Sequence, residues 1–176
     1  MIPEKMVSSK TIYRGHVVTL RVDTVTTVDG GQSVREVVEH APCIAAIPVD
    51  KDGNILLVKQ YRYALGKELL EIPAGGIEPG EDPEAAVRRE MAEETGFSPT
   101  VVKQIGGFYS SPGFCNEFLY LFLASGLTLH RLTAEDTEGI EVVKVKPGEL
   151  ENLIKSGTIC DSKSVAGILT YLRMQD

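Results

Sequence analysis

The chain has no tryptophan, no closely spaced pair of cysteines and no long apolar segment. Its three cysteines, Cys43, Cys115 and Cys160, are odd in number and far apart, so we expect three inert thiols rather than a disulfide framework or a zinc site. No apolar run approaches the ~20 residues that a membrane-spanning helix needs, and the first residues lack the basic-then-apolar pattern of a signal peptide. These absences predict a cytoplasmic protein with no membrane partner.

Basic residues are in the minority. The 176 residues include 18 lysines and arginines against 25 aspartates and glutamates, which gives a net charge of −7. Duplex nucleic acid is bound through a basic face, so this balance predicts no nucleic-acid partner. A small phosphorylated substrate is not excluded, because a divalent cation can bridge acidic side chains to phosphate.

The order of predicted elements indicates an α/β layered fold. Residues 10–39 alternate in the manner of strands, with a hairpin turn at Asp29-Gly30-Gly31, and predict a small antiparallel sheet. We therefore divide the chain into an N-terminal β segment, residues 1–40, and a main domain, residues 41–176. In the main domain we predict strands at 43–49, 55–61, 69–72, 101–108, 117–123 and 140–145, and helices at 83–95, 147–156 and 162–173.

The central helix has the clearest boundaries and an unusual acidic face. Asp82 is a suitable N-cap, with proline next to it at the first helical position. Glu90, Glu93 and Glu94 follow at i, i+3 and i+4, so that their side chains lie on one face. Like charges repel there, and the macrodipole also disfavours negative charge near the C-terminus, unless a cation is present.

Two interpretations of this acidic face are open when it is taken alone. It is either a solvated helix surface or a site for Mg²⁺ or Mn²⁺, which prefer oxygen ligands. The preceding loop, Gly75 to Glu81, favours the metal site, because glycines allow the backbone to approach a cation closely.

The complete pattern resembles the Nudix box at every fixed position. It reads Gly75, five residues, Glu81, seven residues, Arg89-Glu90-Met91, one residue, Glu93-Glu94, one residue, Gly96-Phe97. The resemblance implies a Nudix hydrolase, with an α/β/α sandwich around a mixed sheet, that cleaves a nucleoside diphosphate linked to another moiety. It implies that Mg²⁺, or Mn²⁺, is bound by Glu90, Glu93, Glu94 and the carbonyl of Ala74.

The resemblance also implies roles for the residues around those ligands. Glu90, Glu94 and Arg89 would be catalytic, and Arg89 with Glu81 would orient the helix and loop through salt bridges. The base is expected in the acidic loop 134–139, with Glu138 as first choice and Glu135 as second. Either side chain is alternatively a solvated loop carboxylate.

Residues outside the box narrow the resemblance to the ADP-ribose pyrophosphatases of this family. Gln60-Tyr61-Arg62 precedes Glu71-Ile72-Pro73-Ala74-Gly75, and Ser111-Pro112-Gly113-Phe114 follows the box. The implied reaction splits ADP-ribose into AMP and ribose 5-phosphate, in a homodimer whose exchanged segments 1–40 complete the neighbour's site. The implied substrate contacts are Arg62, Glu71, Pro112, Gly113, Glu117 and Arg35, the last across the dimer.

Several of these assignments have alternatives. Arg62 suits a phosphate because of its guanidinium fork, but a surface ion pair would explain it too. Glu117 would bind ribose or adenine, or would be a strand-edge carboxylate, and Tyr13 is one early aromatic that would stack on adenine. For the whole protein, the alternatives are hydrolysis of another nucleotide sugar or dinucleotide, and a non-catalytic module that binds ADP-ribose. The intact Glu90, Glu93 and Glu94 argue against the module.

Overall fold

The structure is a computed structural model that describes residues 4–133 and 139–175. It contains two compact units. The N-terminal unit comprises the residues through Pro42 together with Tyr109–Phe118, and the sandwich unit comprises Cys43–Phe108 and the chain from Leu119 onward. Among the described residues, no helix is long and apolar enough to cross a membrane.

The N-terminal unit is built on an antiparallel sheet in the order β1-β2-β3. Its strands are β1 (Lys5–Arg14), β2 (Val18–Thr26) and β3 (Gln32–His40). The predicted hairpin joins β2 to β3, where Gly30 has φ of 83°, a left-handed conformation that favours glycine. The second segment of this unit, Tyr109–Phe118, is hydrogen-bonded to β3, since the Val38 N–H donates to the Phe114 carbonyl over 2.7 Å. The predicted small antiparallel sheet is thus confirmed.

The sandwich unit contains two sheets and three helices. The four-stranded sheet has the order β7-β4-β9-β8, in which β4 is parallel to β9 and antiparallel to β7. The three-stranded sheet has the order β10-β5-β6. The elements are β4 (Cys43–Pro48), β5 (Ile55–Arg62), a 3₁₀ turn (Tyr63–Leu65), β6 (Lys67–Glu71), β7 (Ala74–Gly76), α1 (Pro83–Glu94), β8 (Phe97–Tyr109), β9 (Phe118–Leu129), β10 (Glu141–Val145), α2 (Pro147–Lys155) and α3 (Ser162–Arg173).

Strand β4 is buried on both faces and separates two cores. Ile44 and Ala46 pack in a cluster with Met91 of α1. The alternate residues of β4 belong to a second cluster that contains residues of β5, β10, α2 and α3, including Ile168. Because side chains alternate across a strand, one mixed sheet is covered on both faces. The predicted α/β/α sandwich with a mixed sheet is therefore confirmed.

A glycine allows α3 to approach this sheet closely. A Cβ atom on Gly167 would lie 2.9 Å from Ile72 Cδ1 and 3.0 Å from Leu121 Cδ1, inside ordinary contact distance. The close approach brings the first turn of α3 to the end of β6, where the Ile72 N–H donates to Ser164 Oγ.

Several predicted strand boundaries differ from those of the structure. The strands predicted at 101–108 and 117–123 are longer, because their backbone pairing continues past polar residues and past Gly126. The loop after residue 72 contains the short strand β7, in which Ala74 is paired with Ala45. Glycine-rich sequence has low strand propensity, so tertiary pairing decides the conformation there.

Candidate active site

The candidate site is built on α1, whose ends are set by local chemistry. Asp82 caps the N-terminus, where its Oδ1 accepts from the Glu84 N–H over 2.9 Å. Gly96, with φ of 76°, lies just beyond the C-terminus. Apolar residues of the helix, Ala86, Val87, Met91 and Ala92, are buried and fix its rotation. That rotation leaves the glutamates of the predicted metal site beside the loop at β7.

The backbone of that loop lies directly against the carboxylates. A Cβ atom on Gly75 would lie 1.9 Å from Glu90 Cδ and 2.2 Å from each of its carboxylate oxygens, so that any larger residue would require the Glu90 carboxylate to move. One residue earlier, the Ala74 N–H donates to Glu94 Oε2 over 3.1 Å. The glycine predicted to allow close approach is therefore in contact with a predicted ligand.

Arg89 holds the helix and the loop together. It forms the predicted ion pair with Glu81, in which Nε and Nη2 each donate to one carboxylate oxygen over 2.9 Å. Nη1 donates to Glu90 Oε1 over 2.7 Å and to Glu93 Oε2 over 3.3 Å, and Nη2 also donates to the Gly76 carbonyl over 2.8 Å. One guanidinium thus contacts two predicted ligands and the loop that precedes them. Its hydrogen bonds to Glu81 also raise the pKa of Arg89 above its ordinary value.

Burial disfavours negative charge at two of the three glutamates. It raises the pKa of Glu94 to about 8, although the hydrogen bond from Ala74 opposes this shift, and the nearby charge of Glu90 adds to it. Burial also raises the pKa of Glu90, against the hydrogen bond from Arg89. Partly buried carboxylates that repel one another are stabilised by a cation, and a set of oxygen donors fits Mg²⁺ or Mn²⁺.

A second charged cluster surrounds Glu71 at the end of β6. The Glu71 side chain is only 2% exposed. Arg62 Nε lies 3.1 and 3.2 Å from the two carboxylate oxygens, and Arg62 Nη2 lies 2.5 Å from Oε2. Lys163 of α3 donates to the same Oε2 over 2.7 Å and to Asp161 Oδ1 over 2.8 Å. Burial raises the pKa of Glu71, but Arg62 and Lys163 outweigh it and leave the pKa lowered.

This cluster changes the interpretation of two residues. The carboxylate of Glu71, expected to contact substrate, has protein partners on both oxygens. Arg62 forms the ion pair that was the alternative to phosphate binding, yet its side chain is 39% exposed and retains N–H groups for an anion. Lys163 was missed, because 92 residues separate it from Glu71 and no local pattern marks it.

Three other predicted substrate contacts lie together in the N-terminal unit. Arg35, Pro112 and Gly113 line an open groove of about 370 Å³, together with two half-exposed aromatic residues, Tyr109 and Phe114. Arg35 also forms an ion pair with Glu4. Phe114 was identified from the sequence as part of a motif but without a role, and Tyr109, which lies two residues before that motif, was not singled out.

The remaining predicted residues lie elsewhere in the chain. Glu117 Oε1 is 3.7 Å from His40 Nδ1 in the N-terminal unit, and Tyr13 is exposed on β1. Glu135 and Glu138 lie outside the described residues. On the N-terminal side of that loop, the Leu132 N–H donates to the Ala92 carbonyl of α1 over 3.1 Å.

Comparison with known proteins agrees with this geometry. The NUDIX domain model matches residues 39–166, and the model of the nucleoside diphosphate sugar hydrolase N-terminal domain matches residues 4–38. A methanol dehydrogenase activator of Bacillus methanolicus is 36% identical over 100% of this chain and 96% of its own length. An ADP-ribose pyrophosphatase of Bacillus subtilis is 35% identical, over 99% of this chain and 95% of its own.

A solved structure shows the same fold. The crystal structure of an ADP compounds hydrolase matches with a TM-score of 0.90 and covers 99% of this chain and 97% of the other, at 18% identity. That likeness concerns the fold alone, whereas the domain match covers most of the chain and coincides with the site on α1. This protein belongs to the Nudix family of hydrolases, which act on pyrophosphate bonds.

Proposed function

We propose that this protein hydrolyses ADP-ribose, or a close ADP-sugar, to AMP and ribose 5-phosphate, with Mg²⁺ or Mn²⁺ as cofactor. The observation that carries the proposal is the placement of Glu90 and Glu94 against the backbone of Ala74 and Gly75. Nudix hydrolases generally need a divalent metal, and these oxygen donors suit one. The full-length similarity to a relative named ADP-ribose pyrophosphatase supports the choice of substrate.

The residues of α1 and its loop have distinct tasks in this proposal. Glu90, Glu93, Glu94 and the Ala74 carbonyl would hold the cation, which supplies polarisation of phosphoryl oxygens and a lowered pKa of bound water. Arg89 keeps two of these carboxylates and Glu81 in fixed orientations. Such supporting contacts typically change metal affinity or activity by about 10–100-fold when they are removed.

Substrate contacts belong to residues outside the box. Arg62 would bind the diphosphate through the N–H groups that Glu71 leaves uncommitted, since a guanidinium suits phosphate oxygens. Given its burial, Glu71 would support Arg62 rather than touch the substrate. The other proposed substrate contacts are Arg35, which would act across the dimer, and Pro112, Gly113 and Glu117.

The proposal includes a cytoplasmic homodimer in which the N-terminal segment 1–40 is the dimerisation element of the main domain, 41–176. The exposure of β1 supports it, since every residue of that edge strand is exposed, including the apolar Met6, Ile12 and Tyr13. Exposed apolar side chains on an edge strand are a pairing surface. Sedimentation of the intact protein would test the dimer, and a monomer at micromolar concentration would contradict it.

The general base is proposed to be Glu138, with Glu135 as second choice. Each of the two should be replaced by glutamine in a separate variant. Replacement of the base should lower kcat by about 100-fold or more, and replacement of the other carboxylate should lower kcat less. The other variant is the matched control, because it removes the same charge from the same loop. Equal and small effects would assign the base elsewhere.

Turnover of a panel of nucleoside diphosphate compounds with Mg²⁺, with products identified, tests the function itself. AMP and ribose 5-phosphate as the preferred products would support the proposal. The second candidate is a different nucleotide sugar, and the match of residues 4–38 to a nucleoside diphosphate sugar hydrolase domain favours it as the alternative. Preference for a guanosine or uridine sugar would select it. ADP-ribose binding without metal-stimulated turnover would instead indicate a non-catalytic module.

A further inference from the structure

We propose that Lys163 is a positioning residue for substrate binding, and that it acts by holding Glu71 so that the guanidinium of Arg62 faces the diphosphate. The inference rests on the proposed function, because it takes the substrate to carry a diphosphate. It assigns a task to the first turn of α3, which lies outside the Nudix box and far from it in sequence.

Glu71 occupies one edge of the Arg62 guanidinium and leaves the other edge available to an anion. Nε and Nη2 are turned toward Glu71, and Nη1 has no hydrogen-bond partner among the residues that the structure describes. A guanidinium that is held on one edge presents its other N–H groups in a fixed direction. The orientation of Arg62 toward an anion therefore depends on where Glu71 is held.

Glu71 is held by Lys163 as well as by Arg62. Its Oε2 accepts from Lys163 over 2.7 Å as well as from Arg62 over 2.5 Å. Lys163 is only 14% exposed and is itself fixed by Asp161 over 2.8 Å. Without the ammonium group, Arg62 alone would hold the carboxylate, which would then be able to rotate together with the guanidinium.

The attachment of α3 to the end of β6 does not depend on the Lys163 ammonium group. Asp161 caps α3 by accepting from the Ser164 N–H over 3.1 Å, and Ser164 Oγ accepts from the Ile72 N–H over 2.9 Å. The turn of α3 is thus attached to the end of β6 by a buried contact that does not involve Lys163. Loss of the Lys163 ammonium should leave this attachment, and hence the fold, in place.

The experiment is a double-mutant cycle between Lys163 and Arg62 in the full-length protein. Arg62→Met removes a charge-assisted contact to the diphosphate and should raise KM for ADP-ribose by about 10–100-fold. Lys163→Met should raise KM by about tenfold and change kcat by less than about threefold. In the Arg62→Met background, Lys163→Met should have no further effect on KM.

Two further variants serve as rescue and control. Lys163→Arg keeps a cation beside Glu71 and should recover most of the lost affinity. Lys155→Met removes an exposed lysine of α2 that forms an ion pair with Glu151, and it should leave both kinetic constants as in the wild type. Additive effects of Lys163→Met and Arg62→Met, or an unchanged KM in Lys163→Met, would overturn the proposal.

A second readout does not depend on turnover. In the metal-free and substrate-free protein, the Arg62 Nε–H should give a protected NMR signal, which is assigned by its loss in Arg62→Met. Lys163→Met should accelerate its hydrogen exchange, and Lys155→Met should not. An unchanged exchange rate in Lys163→Met would overturn the proposal. Absence of wild-type turnover on every nucleoside diphosphate compound would refute the proposed function instead, and the NMR comparison would still decide whether Lys163 positions Arg62.

Discussion

Replacement of Gly75 by alanine should disable the proposed metal site without unfolding the protein. The added Cβ would lie 1.9 Å from Glu90 Cδ. Ordinary carbon–carbon contacts are about 3.5 Å or longer, so the carboxylate or the loop must move by about 1.5 Å. Glu90 is the end of a flexible side chain, whereas β7 is paired with β4 through Gly75 and Ile44. We therefore expect the carboxylate to be displaced.

The magnitude follows from that displacement. A misplacement of about 1 Å at a reacting centre costs about 100-fold in rate. Displacement of Glu90 would also strain its 2.7 Å hydrogen bond with Arg89. We expect kcat/KM for ADP-ribose to fall by about 100-fold or more, and the affinity for Mg²⁺ to fall by about 10–100-fold.

The adjacent Gly76 provides a matched control. A Cβ atom there would meet no atom within 4 Å, and its φ is not in the left-handed range. The assay compares turnover and Mg²⁺ titration for Gly75→Ala and Gly76→Ala, with thermal unfolding of both. Gly76→Ala should stay within about threefold of the wild type, because an unstrained surface substitution changes free energies by only about 0.5 kcal/mol. Near-normal turnover and Mg²⁺ affinity in folded Gly75→Ala would refute the assignment of Glu90 as a ligand beside this loop.

Three further predictions concern catalysis, pH and packing. Glu94→Gln should lower turnover by about 100-fold or more, and a near-normal rate would contradict the metal site. The pKa of Glu94 in the folded protein, about 8, lies above its ordinary value of 4.5. Glu94 therefore contributes fully to the stability of the metal-free protein below pH 4.5, and this contribution is lost as the pH rises to 8. The unfolding temperature should fall over that range, more steeply than in Glu94→Gln, and Mg²⁺ should bind more tightly as the pH rises. Gly167→Val would overpack α3 against Ile72 and should cost about 1–3 kcal/mol in the free energy of unfolding, as measured by denaturant titration.

Local chemistry explains why the central helix was predictable. Asp82 and Gly96 act on the backbone within a few residues, so that their effect can be recognised without tertiary information. The N-terminal hairpin was predictable for the same reason, since its turn at Gly30 is local. Strand β7 was not, because Ala74 becomes a strand residue only through its pairing with Ala45.

The substrate residues show the limit of sequence reasoning more clearly. Arg62 was recognised by its motif, but its availability to a phosphate depends on how Glu71 is held. Glu71 was assigned to the substrate, although the fold buries it and surrounds it with protein donors. Neither outcome follows from residue spacing, since burial is a property of packed elements.

The amino-acid sequence by itself determined the spacing of Glu90, Glu93 and Glu94 on one helical face and the glycine loop before them. That much follows from helix geometry, which repeats every few residues. Only the tertiary structure decided that Gly75 contacts Glu90 and that Lys163 shares the carboxylate of Glu71. Contacts between residues far apart in the chain depend on how sheets and helices pack, and no local periodicity encodes their partners.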